Sequence, residues 1–66
     1  MSKSTHLGKI IREKRERCGM SISELAKQTN RSAKCIMNIE LGDSDPKFST
    51  VRVIAQVLDI NMSELL

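Results

Sequence analysis

The side chains of this 66-residue chain that could do covalent or metal chemistry are His6, Cys18 and Cys35. Three such groups fall short of the four ligands a structural zinc site takes, and their spacing follows no zinc pattern. Neither cysteine has a base beside it in any periodic reading, so no activated nucleophile is predicted. Both are expected to be free thiols in a reducing compartment. With no secretory pattern read, the expected location is the cytoplasm. Gln56 and Asp59 interrupt the most apolar stretch, well short of the roughly 20 residues that span a bilayer, so no membrane partner is expected. A chain this short needs nearly every apolar side chain to close one core, which leaves little room for a deep pocket. The expected function is therefore not enzymatic, and no cofactor, metal or small-molecule substrate is expected.

Charge is the chemistry that remains. The chain carries 11 Lys and Arg against 8 Asp and Glu, a net charge of +3. Residues 1–41 hold nine bases and four acids, while residues 42–66 hold two bases and four acids. A basic front half and an acidic rear predict one surface that meets a polyanion and another that does not.

The elements that must position those charges follow from apolar spacing. Residues 1–5 are polar and aperiodic and predict a flexible N-terminal arm, with one domain over residues 6–66. Leu7, Ile10, Ile11 and Cys18 recur on one face of a first helix, which Gly19 ends. Ser21, Ile22, Ser23 and Glu24 fit a capping box that opens a second helix with Ile22, Leu25, Ala26 and Thr29 inward. Asn30 follows, a residue that tolerates a left-handed turn. Ser32 can cap a third helix that runs through Ile36 and Ile39 to Glu40 or Leu41, before Gly42. Gly42 to Pro46 concentrates turn formers and predicts a surface loop. Val51, Ile54, Ala55 and Leu58 mark a fourth helix starting near Phe48 or Ser49. Asn61 to Glu64 then offers a looser cap for a short fifth.

Two short helices joined by about three residues, the second capped and followed by glycine, form a helix-turn-helix pattern. The pattern makes separate demands. A small residue must stand where the helices cross, and Ala26 does. The turn needs positive φ, and Asn30 stands four positions later. Ile36 and Ile39 must anchor the second helix while its outer face stays free.

On these residues the sequence resembles the phage-repressor and Cro-like family of helix-turn-helix regulators, the XRE family. The resemblance spans nearly the whole chain. It is carried by Leu7-Gly8, Ile11-Arg12-Glu13 with Arg15, Gly19-Met20-Ser21, Leu25-Ala26, Ser32, Ile36, Ile39-Glu40 with Gly42, Pro46, Ala55 to Leu58, and Ser63-Glu64-Leu65-Leu66. It implies an all-α, compact, five-helix, lambda-repressor-like domain. Its third helix, about residues 33–41, would lie in the major groove of a two-fold operator. The implied function is sequence-specific binding of double-stranded DNA as a transcriptional regulator, with repression as the expected sign.

Carried over residue by residue, the base-reading positions are Ala33, Lys34, Met37 and Asn38, with Cys35 at the margin. Asn38 can pair with adenine N6 and N7, Lys34 can donate to guanine or to a phosphate, and Ala33 or Met37 can pack on a thymine methyl. Phosphate contacts are expected from Ser21 and the amides of Ile22 and Ser23 at the start of the second helix, with Arg31, Lys47 and either Lys9 or Lys27 adding charge. The resemblance also implies a structural ion pair between Arg15 and Glu40.

The sequence departs from the family at four positions. Ile22 replaces a frequent Gln, so a side-chain contact there is lost or passes to the backbone amide. Arg31 stands where a small apolar residue is usual, and must turn outward to the DNA backbone or loosen the turn. Asp43 and Asp45 make the loop acidic, so it is expected to face away from a duplex or contribute nothing. A homodimer is expected, because one such module buries little surface. Val57, Ile60, Met62, Leu65 and Leu66 are the apolar candidates for its interface, though each would serve equally in the core. The alternative is a protein-interaction or antitoxin-like adaptor module on the same fold, which would show a weaker salt dependence than a DNA binder.

Overall fold

Helices form wherever apolar residues recur at a 3.6-residue period. In the computed structural model, which describes residues 4–43 and 45–65, they are α1 (Ser4–Arg17), α2 (Ile22–Thr29), α3 (Ala33–Leu41), α4 (Phe48–Leu58) and α5 (Met62–Leu65). No strand occurs among the described residues. α1 starts at Ser4, so the expected arm is shorter than five residues on its described side, and residues 1–3 lie outside the described part.

Local sequence sets each helix end. The Glu24 amide donates to Ser21 Oγ at 3.0 Å and the Ser21 amide to Glu24 Oε1 at 3.4 Å, the reciprocal capping box. Asn30 closes α2 at φ 58°, and the Arg31 amide bonds back to the Ala26 carbonyl at 2.8 Å. Ser32 Oγ accepts from the Cys35 amide at 3.0 Å, opening α3, and Gly42 closes it at φ 77°. Asp59 ends α4 at φ 56°, a left-handed stop that no turn-forming cluster marks in the sequence. At the looser cap of α5, the Asn61 amide donates to Glu64 Oε2 at 3.2 Å.

The core is one cluster drawn from all five helices. Leu7 and Ile11 of α1 meet Leu25 and Ala26 of α2, Ile36 and Ile39 of α3, and Val51, Ile54, Ala55 and Leu58 of α4. Ile60 and Leu65 complete it. Burying each of the larger side chains contributes about 1.5–3 kcal/mol, so α3 is held by Ile36 and Ile39 alone among its buried residues. Thr29 is also buried, because its hydroxyl donates to the Leu25 carbonyl at 2.7 Å.

One expectation is corrected here and one open alternative is resolved. Cys18 does not belong to the inner face of α1: it is exposed beyond the last turn, since the inward stripe ends at buried Arg15. Ile60 and Leu65 are core residues and leave the list of interface candidates, because α5 folds back onto α1 and closes the cluster. Val57 and Met62 are half-buried against that cluster, and Leu66 lies outside the described residues.

α1 and α3 approach so closely that only glycine fits between them. A Cβ on Gly8 would clash with the Ile39 carbonyl oxygen and stand 2.7 Å from that of Glu40. Further along the same seam lies an ion pair. Arg15 Nε donates to Glu40 Oε2 at 2.7 Å, Nη2 to Glu40 Oε1 at 3.0 Å, and Nη1 to the Met20 carbonyl at 2.8 Å. The fork thus ties the end of α1 to the end of α3 and to the chain leaving Gly19.

Candidate nucleic-acid interface

Helix periodicity divides α3 into two faces. With Ile36 and Ile39 buried, the opposite face carries Ala33, Lys34 and Met37, all exposed, and Asn38, half-buried at its border. Cys35 is half-buried against the core. Leu41, read in the sequence only as a helix end, is 60% exposed and extends this face by one turn. The signal was present in its spacing, since Ala33, Met37 and Leu41 stand at i, i+4 and i+8.

Beside this face lies the start of α2. Ile22 and Ser23 hold its first helical amides, which have no acceptor within the helix and give that end a partial positive charge. Ser21 Oγ is already an acceptor for Glu24, but its O–H remains a donor that could turn to an anion. The Glu24 carboxylate sits 3.4 Å from the Ser21 amide, so an incoming phosphate would compete with it for that donor. Ile22 is half-buried and faces a cleft of about 220 Å³ shared with Arg12, Arg15, Met37, Glu40 and Leu41.

A second cleft, of about 480 Å³, lies at the other side of α3, where Arg31, Cys35 and Ile39 meet Asp45, Pro46, Lys47, Ser49 and Thr50. It brings together two of the residues expected at phosphates, Arg31 and Lys47, which are 16 positions apart in sequence. Lys47 stands at the N-cap of α4 with no side-chain cap hydrogen bond, so its side chain offers the first amides of that helix no acceptor. Arg31 takes neither course expected of it in full. Its guanidinium lies along the α2–α4 seam, with Nε donating to Thr50 Oγ1 at 3.3 Å and Nη1 donating to the Thr29 and Asn30 carbonyls at 3.4 and 3.3 Å. Asp45 lines the same cleft, while Asp43 is exposed. Lys9 and Lys27 are both exposed.

The charge on Arg15 is secured by its partner. The hydrogen bond to Glu40 raises the guanidinium pKa against the opposing effect of burial, with the negative charge of Glu40 and then Glu16 adding to the rise. This pair is scaffold, for it points between helices; the side chains that reach outward are those of α3. Among the described residues no group of three or more His, Cys, Asp or Glu is placed to hold a metal ion. No described helix is long and apolar enough to cross a membrane.

A family model for helix-turn-helix domains matches residues 11–65 of the chain. No curated protein and no solved structure matches it.

Proposed function

This chain belongs to the helix-turn-helix family of Cro-like, XRE-type DNA-binding regulators, and on that premise we propose that it is a sequence-specific repressor with α3 in the major groove of a two-fold operator. The observation that carries the reading is the division of α3, in which Ile36 and Ile39 fix its back while Ala33, Lys34, Met37 and Asn38 occupy its outer side. Lys34 and Asn38 supply hydrogen bonds to base edges, and Ala33 and Met37 supply apolar contact. Phosphates on one side are met by Ser21 and the amides of Ile22 and Ser23, and on the other by Lys47 with Arg31 at the second cleft. The expected setting is the cytoplasm.

Selection from random duplexes tests this directly. The chain should enrich one site, with affinity falling steeply as salt rises because bound phosphates release counterions. Asn38→Ala should then relax the preference at one base pair by about 1–3 kcal/mol and leave the others intact. Lys34→Ala should either do the same at a G·C pair or lower the salt slope by about one. Enrichment of no site, or discrimination unchanged in both variants, defeats the proposal. A shallow salt slope would favour a protein partner instead.

Two copies should occupy each site, since one module of this size buries only about 600–1,000 Å² on DNA. Pairing should occur on the DNA rather than before it. With Ile60 and Leu65 in the core, the described residues of the α4–α5 end offer only half-buried Val57 and Met62 as apolar candidates, little area against the usual 1,200–2,000 Å² or so. Sedimentation should show a monomer at micromolar concentration and two copies per operator when DNA is added. A stable dimer without DNA would show that another surface pairs the copies.

A further inference from the structure

Arg31 stands in the turn before α3, where a small apolar residue is usual in the family, and its guanidinium is tied down by groups of two other helices. Nε donates to Thr50 Oγ1 at 3.3 Å, and Nη1 donates to the Thr29 and Asn30 carbonyls at 3.4 and 3.3 Å. Those carbonyls belong to the last residue of α2 and to its left-handed stop, the negative end of that helix. Thr50 lies in the first turn of α4 and is only 8% exposed, so the packing around it fixes its hydroxyl. One side chain thus joins the end of α2 to the start of α4.

These bonds orient the guanidinium without neutralising it. All three acceptors are uncharged, and each distance is long for an N–H to oxygen bond. Among the described residues no ion pair joins Arg31 to a carboxylate, Asp45 of the same cleft included. Arg15 is the contrast, since its fork is filled by Glu40. A guanidinium has five N–H donors, and the two on Arg31 Nη2 donate to no described residue. Lys47 and Ser49 line the cleft of about 480 Å³ beside it. A fixed cation with two unspent donors, next to a second cation, suits an oxyanion.

We propose that Thr50 is a positioning residue for DNA binding, which holds Arg31 Nε from α4 so that the Nη2 edge meets one phosphate in each half-site. This role rests on the reading of Arg31 and Lys47 as phosphate contacts, and it makes geometry matter as much as charge there. A lysine at position 31 would carry the charge but lacks the planar fork that can hold Thr50, the α2 carbonyls and a phosphate together. A guanidinium already fixed also loses less freedom when the phosphate arrives.

The test uses the full chain and the duplex it selects from a random pool. Arg31→Ala should weaken binding about tenfold, the loss of a hydrogen bond to a charged group, and Arg31→Lys should recover no more than about twofold of that. Thr50→Val, which keeps the side chain's shape and removes its hydroxyl, should weaken binding about three- to fivefold, and Thr50→Ser should restore it to within about twofold. The double variant Arg31→Ala, Thr50→Val should bind as Arg31→Ala does, because Thr50 acts through Arg31. Replacing the duplex phosphates one at a time by neutral methylphosphonates should find a position in each half-site where the parent loses affinity and Arg31→Ala does not. A merely structural Thr50 would lower affinity independently of Arg31 and of any single phosphate. Arg31→Lys binding like the parent, or additive losses in the double variant, overturns the positioning role and leaves the repressor reading standing. Should Thr50→Val fail to fold, Arg31→Lys, at a side chain outside the apolar core, decides alone. Failure of the parent to select any duplex overturns both.

Discussion

Gly8→Ala should destabilise the domain by about 2 kcal/mol or more, although alanine is the better helix former by about 1 kcal/mol. The new Cβ would meet the carbonyl oxygens of Ile39 and Glu40, which are backbone atoms and cannot rotate away. α1 must then move off α3, and the contacts of Leu7 and Ile11 with the core loosen together. For a domain of this length total stability is about 3–10 kcal/mol, so the loss is a large share of it. Urea unfolding followed by circular dichroism reads the effect as a fall in the midpoint at unchanged slope. A variant as stable as the parent would mean that the two helices are not packed at this distance. By contrast, Gly19, at φ 67°, has open space where a Cβ would sit, so its replacement would meet only the strain of the left-handed conformation.

Glu40→Ala should cost about 3–5 kcal/mol, because it leaves the Arg15 guanidinium charged, enclosed and stripped of two of its hydrogen bonds. The side chains of Arg15 and Glu40 are only 11% and 5% exposed, so water cannot screen the loss as it does at a surface pair. The exposed Arg12–Glu16 pair, at 3.5 Å on one helix face, supplies the contrast: breaking it should change stability by no more than about 0.5 kcal/mol. Joining Glu40→Leu to Arg15→Met should recover most of the loss, since removing both charges also removes the penalty for burying them. The recovery should fall short by about 1 kcal/mol, because the Met20 carbonyl then lacks its donor. If the double variant is as unstable as Glu40→Ala, the cost lies in packing and not in the orphaned charge. The pair should add no pH dependence through Arg15 in the neutral range. A base whose pKa is raised on folding keeps its stabilising effect below its ordinary titration and loses it only as pH climbs through the raised value, which for arginine lies far into alkali.

The local features of the fold were legible in the chain because they depend on residues three or four apart. Ser21 with Glu24, Asn30, Ser32 and Gly42 each stop or start a helix through their own hydrogen bonds or backbone freedom, and the structure places all of them as their spacing predicts. The same holds for the inner faces of α3 and α4, where apolar period is enough. Cys18 misled that reading because periodicity says which side of a helix a residue occupies, not whether another helix covers it there. Ile60 and Leu65 were ambiguous for a related reason: a short apolar terminus can close its own core or cover a partner, and only the direction in which α5 turns back decides.

The candidate interface divides in the same way. That α3 has a free outer side follows from Ile36 and Ile39, whereas the choice of Ala33, Lys34, Met37 and Asn38 upon it came from the resemblance. Resemblance alone suggested that Arg15 meets Glu40, 25 residues away; a fork at 2.7 and 3.0 Å is a tertiary fact. The convergence of Arg31, Asp45 and Lys47 on one cleft, and of Ile22 with Met37 and Leu41 on another, had no local signal. The amino-acid sequence by itself determined the helices, their ends and which face of each turns inward, because those depend on near-neighbour geometry and on apolar period. Tertiary structure alone decided how closely α1 meets α3 at Gly8, which charges are paired, and which exposed side chains share a cleft. Those outcomes depend on distances between residues far apart in the chain, which are set only when the whole core closes.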